Sequence, residues 1–151
     1  MRTAAIVSLL AAVVLGVAAC ATAPVTALPE NVKWVDHPVF TGVKQAVLHG
    51  NPSQAGPFVV RLWFPANYQI PPHFHPVDEN VTIVSGSVNL GHGDRFDKSQ
   101  AKRYVAGEFF RVSAQMRHYG FTSEECVLQV HSVGPTGYTQ VNPADKPGKM
   151  M

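Results

Sequence analysis

The chain has 151 residues, and 12 Lys and Arg against 10 Asp and Glu leave it 15% charged with a formal net charge of +2. That length makes one compact domain with one sizeable core and leaves no room for a second catalytic domain. Charge this sparse and this balanced excludes a binder of phosphate backbones, which needs clustered Lys and Arg, so no nucleic-acid partner is expected.

Residues 1–19 read as a signal peptide, because Arg2 precedes an apolar run over 4–19 that is too short and too rich in Ala for a membrane span. The run closes in Leu15-Gly16-Val17-Ala18-Ala19-Cys20, which resembles the lipobox of bacterial lipoproteins, whose cysteine becomes the acylated first residue. The resemblance implies export to the periplasm and a membrane partner reached through acyl chains on Cys20, several of which anchor stably together. Ala21 is of the outer-membrane sorting type, given a Gram-negative source. Cleavage at Ala19-Cys20-Ala21 or Ala21-Thr22-Ala23, both of the Ala-x-Ala type, is the alternative. With Cys20 acylated, Cys126 has no disulfide partner, and its neighbours Val127 and Leu128 mark it as a small buried hydrophobe.

Residues 20–30 form a tether, the stretch 21–29 carrying neither charge nor period. The domain proper is expected over 31–138. Strands are expected at 43–48, 57–64, 80–84, 87–90, 103–106, 108–112 and 126–133, where β-branched and aromatic residues gather. No segment has helical periodicity. Turn signals fall between the strands, among them Asn67, Pro71-Pro72, Ser85-Gly86-Ser87, Gly91-His92-Gly93-Asp94, Gly107 and Gly120. Many short strands with frequent Gly and Pro point to an all-β sandwich or barrel, and closure would remove exposed strand edges. Residues 139–151 form a C-terminal tail expected to be loose or merely laid along the surface.

The stretch with chemical content is Pro71-Pro72-His73-Phe74-His75-Pro76-Val77-Asp78-Glu79. Two histidines one residue apart in an extended strand point to the same face, and Pro76 keeps His75 away from helical angles. Glu79 follows after three residues, near enough for the chain to bend its carboxylate to the same point. Imidazoles with a carboxylate bind a borderline divalent metal such as Fe, Mn, Ni, Cu or Zn. Gln129 and His131 alternate with Val130 and share one face, and Arg61 and Trp63 share another in the same way. Gln129, His131 and Arg61 are therefore candidates for lining a small-molecule pocket, with solvent as the other surface they could face. Trp63 is expected in the core. Asp78 reads as a surface carboxylate, His92 as a solvated turn residue, and His37 and His49 as loop or strand-end residues.

The pattern resembles the cupin superfamily. Its first motif is matched by Asn67, five residues, His73-Phe74-His75, three residues, Glu79, six residues, Gly86, with Asn67 in place of a Gly. Asn is the residue other than Gly that most readily takes a left-handed backbone, so the turn can survive. Gly107, Ser113, Ala114, Gln115, His118 and Thr122 keep the spacing of the second motif, with Ser113, Gln115 and Thr122 where it has Pro, Gly and Asn. The resemblance runs from about Val59 to Val133. It implies a cupin double-stranded β-helix, a jelly-roll-like antiparallel barrel, with one divalent transition metal held by His73, His75, Glu79 and His118. It further implies a metal-dependent enzyme acting on a small organic molecule, dioxygenase-type first and Lewis-acid isomerase second, in which Glu79 is both ligand and proton acceptor. The alternative is a non-enzymatic envelope lipoprotein that captures a small ligand or the metal, and a metal that only stiffens the barrel is a third reading. Cupins often pair through sheet edges, so a homodimer is the oligomer the resemblance implies.

Overall fold

A computed structural model describes residues 26–149; the expected signal peptide, the expected lipidation at Cys20 and the start of the expected tether lie outside them. In chain order the strands are β1 (Val35–Asp36), β2 (Lys44–His49), β3 (Gly56–Phe64), β4 (Tyr68–Phe74), β5 (Glu79–Ser85), β6 (Ser87–His92), β7 (Lys102–Val105), β8 (Phe109–Val112), β9 (His118–Phe121), β10 (Cys126–Gly134), β11 (Thr139–Gln140) and β12 (Gly148–Lys149). Two three-residue 3-10 turns supply the helical content among the described residues. None of these is long and apolar enough to cross a membrane.

The strands form two facing antiparallel sheets, one ordered β1-β2-β3-β10-β5-β8 and the other β11-β4-β9-β6-β7, with β12 also on β4. Strict alternation in the sequence builds the first sheet. In β10, Cys126, Leu128, Val130 and Ser132 are buried while the residues between them are not, and the strand runs beside β3 without a slip from Cys126 opposite Phe64 to Gly134 opposite Gly56. Facing rows of apolar side chains, Val60, Phe64, Ile70, Val81, Val88 and Leu128 among them, bury the interior between the sheets. Each fully buried side chain of this size contributes roughly 1.5–3 kcal/mol. Cys126 is fully buried, as its apolar neighbours imply, and burial pushes its thiol up to about 12.

Pro71-Pro72, Gly91 and Gly120, read as turn signals, lie inside strands, Gly120 within β9. Pro71 and Pro72 lie inside β4 rather than in a turn, because the register with β9 slips between Ile70 and His73 and the two prolines occupy the irregular stretch where no ladder N–H is required. Gly91 lies inside β6 because the Tyr119 ring covers it: a Cβ there would sit 2.1 Å from Tyr119 Cζ. The C-terminal segment, expected to be loose or laid along the surface, is laid along β4. β11 pairs with His73 and Phe74, β12 with Tyr68 and Gln69, and the Val141 N–H donates to the Pro72 carbonyl at 2.9 Å. This pairing uses main-chain groups, so it left no apolar pattern in the sequence.

The substituted turn positions hold. Asn67 takes the left-handed backbone with φ 57, and Gln115 does the same with φ 63. Thr122 is fully buried, its hydroxyl donating to the Pro65 carbonyl at 2.7 Å and accepting from the Tyr68 N–H at 3.0 Å, which ties β9 to the start of β4.

Candidate metal centre

β4, β9 and β6 are neighbours in the second sheet, and their register places His73 opposite His118 and His118 opposite His92. Directly opposed residues send their side chains to the same face, so these three stand in a row. His75, two residues past His73, returns to that face: ring centroids are 4.9 Å apart for His73 and His75, 4.1 Å for His73 and His118, and 5.4 Å for His75 and His118. One ring nitrogen from each of His73, His75 and His118 lies within 4.8 Å of the other two. Glu79 opens β5 in the facing sheet, opposite the inward Val112, and its Oε2 is 3.5 Å from His75 Nε2. The structure thus brings together the four residues that the sequence pattern singles out.

Each imidazole is held by a main-chain carbonyl. His73 Nδ1 donates to Pro71 at 2.8 Å, His118 Nδ1 donates to Met116 at 2.9 Å, and His75 Nδ1 donates to Gly137. A carbonyl can only accept, so Nδ1 carries a proton, and in the neutral ring it is Nε2 that has the lone pair. Burial pushes His73 well below the usual imidazole range, with the neighbouring His118 and His75 rings adding to the effect, and burial pushes His118 down to about 4. Both are therefore neutral near pH 7, the form that ligates. Glu79 is raised by burial, with His75 opposing. Converging neutral lone pairs beside a largely buried carboxylate are a donor set suited to a borderline divalent metal, and the carbonyls behind the rings orient them as such sites require.

The centre opens on a small cavity of about 80 Å³ between the sheets. Apart from the three histidines and Glu79, its lining side chains are apolar, including Phe40, Leu62, Phe64, Phe110 and Leu128.

Arg61, Gln129 and His131 do not join this centre, which corrects their expected place in the pocket. They do share a face: Arg61 Nε donates to Gln129 Oε1 at 2.9 Å, and Gln129 Nε2 is 3.4 Å from His131 Nε2. That face is the outer one, because Leu62, Leu128 and Val130, the residues alternating with them, turn inward to line the cavity. Trp63, expected in the core, is half-buried on the same outer face, with Lys44 Nζ 5.8 Å from its ring centroid. Asp78 is the outward carboxylate expected: it pairs with Arg111 at 2.5 Å and accepts from the Ala114 N–H at 2.7 Å, joining the loop after β4 to the loop before β9. His92 is exposed at the end of β6, on the row of His73 and His118.

Two residues of the centre escape sequence reasoning. Gly137 supplies the carbonyl that holds His75. The Tyr138 ring lies 4.7 Å from His73, 6.1 Å from His75 and 5.0 Å from Phe40, forming a wall behind the imidazoles. The only sign of them is an isolated aromatic after Gly134-Pro135.

Residues 22–136 match the family model described as the ChrR cupin-like domain. No curated protein matches the chain. Among solved structures, the polyketide cyclase RemF from Streptomyces resistomycificus is similar with a TM-score of 0.66 at 18% identity, over 80% of this chain and 87% of that one. An RmlC-like cupin from Shewanella frigidimarina gives 0.58 at 19% identity, over 74% and 91%. A chain of the Rhodobacter sphaeroides complex of SigE with the anti-sigma ChrR gives 0.53 at 20% identity, over 70% and 51%. At these identities the likeness establishes the double-stranded β-helix fold alone.

Proposed function

The chain belongs to the family of ChrR cupin-like domains, and on that footing we propose that it is a metal-dependent enzyme acting on a small organic molecule held between its two sheets. The observation that carries this reading is the set of three imidazoles, each with Nδ1 committed to a carbonyl and Nε2 left free beside the Glu79 carboxylate. His73, His75, His118 and Glu79 would hold one divalent transition metal. When bound, it supplies a redox centre for dioxygen or a Lewis acid for an oxygen donor. Dioxygenase-type oxidation stands first and Lewis-acid isomerisation second.

The chain's own residues do the rest. The apolar walls hold the body of the substrate and exclude water, which strengthens the polar interactions at the centre. Glu79, raised by burial, is suited to accept a proton from a substrate hydroxyl at Oε2 and to return it. Tyr138 and the Gly137 carbonyl keep His73 and His75 in place.

Oxygen uptake by metal-loaded protein with phenols or β-diketones tests the reading. Consumption that depends on the metal and disappears in His118→Ala is expected. If no loaded metal supports turnover while a ligand still raises the melting temperature, the protein is a binding module instead. We also propose that the protein is exported and anchored through acylated Cys20, on the strength of the lipobox-like residues 15–20. Incorporation of labelled palmitate should be lost in Cys20→Ser, and equal labelling of the two proteins would refute the anchor.

A further inference from the structure

Four side chains in the cavity can make polar contacts with a ligand, the three imidazoles and the Glu79 carboxylate, and they gather at one point. The rest of the lining offers none. Among the described residues, Thr122 bonds Pro65 and Tyr68, Arg61 and Gln129 bond each other on the outer face, and Arg111 is paired with Asp78; the buried hydroxyls of Tyr68 and Tyr138 have no partner, but neither residue lines the cavity. Phe64, Val81 and Leu128 belong to the buried apolar core, and Leu62 and Phe110 extend that surface around the cavity. A ligand with hydroxyls or charges along its length would bury them without partners here, each such group weakening binding roughly 5- to 150-fold. An alkyl or aryl body would instead gain roughly fourfold per buried methylene.

The geometry points to a substrate class: a compact, mainly apolar molecule with one oxygen-donor end, such as an enol, phenol or ketone on an alkyl or aryl body, with sugars, nucleotides and free amino acids excluded. This rests on the reading of His73, His75, His118 and Glu79 as a metal centre.

Hydroxamates test it, because they keep one metal-binding head while the body varies. With cobalt(II)-loaded full chain, the visible spectrum reports binding. Affinity should rise roughly fourfold per methylene from acetohydroxamate to hexanohydroxamate, benzohydroxamate should bind more tightly than acetohydroxamate, and glycine hydroxamate should bind at least about fivefold more weakly than acetohydroxamate. Leu62→Gln and, separately, Phe110→Asn should flatten the series. A flat series in the parent protein, or preference for glycine hydroxamate, overturns the substrate class while leaving the metal centre standing. Failure to take up cobalt overturns the metal centre and the substrate class together.

Discussion

Tyr138→Leu removes the ring that lies against His73 and His75 and should weaken metal binding by about 10-fold, within the range for groups that orient ligands, as read by competition with a chelator. Tyr138→Phe should leave the affinity unchanged, since the Tyr138 hydroxyl is buried with no partner among the described residues. His37 makes a prediction about pH away from the centre. Its Nδ1 accepts the N–H groups of Val39 at 3.1 Å and Phe40 at 3.0 Å, its ring stacks on Phe40 at 4.5 Å, and burial pushes it from 6.5 down to about 4. The folded value lies below the unfolded one, so the unfolded chain binds the extra proton between them. The stability His37 contributes is therefore whole above pH 6.5 and is lost as pH falls toward 4. Urea unfolding across that window should show a shallower fall for His37→Asn than for the parent, and identical slopes would contradict this. The four residues of the centre were legible because a period of two places His73 and His75 together and the family spacing adds Glu79 and His118. The same period showed that Arg61 shares a face with Trp63, and Gln129 with His131, and it could not by itself say which face turns inward. Gly137 was illegible because it meets His75 across 62 residues through a main-chain atom.

β6 and β9 approach closely because Gly91 leaves room for the Tyr119 ring, whose hydroxyl donates to the Asp97 carbonyl at 2.7 Å and cannot swing aside freely. Gly91→Ala should cost about 1–3 kcal/mol, the range for overpacking a tight interior, as measured by urea unfolding, and a neutral result would mean that the two strands separate more easily than this packing allows. Strands with clean alternation, β3 and β10 above all, could be read from residue type alone. β4 could not, since two prolines inside a strand are allowed only by the slip against β9, a property of the partner rather than of the segment. The two short strands that hold the C-terminal segment on β4 were hidden for a related reason: main-chain pairing of two residues at a time has no side-chain signature.

Across the molecule, closely spaced turn signals made the closed all-β fold legible, whereas the sheet order was not. β10 lies between β3 and β5, and partners so far apart in sequence are chosen by the joint burial of both faces. The centre draws on both sheets: His73 and His118 come from one, Glu79 from the other, and His75 follows the end of β4. A metal held by these four residues would join the sheets and bind the folded chain preferentially, so its removal should lower the melting temperature. Anomalous diffraction from crystals of protein purified without chelators tests the central claim most directly. The expected result is a single metal peak coordinated by Nε2 of His73, His75 and His118 and by a Glu79 oxygen, each at about 2.0–2.2 Å. A metal bound elsewhere, or a His118 ring turned away from the other three side chains, would contradict it.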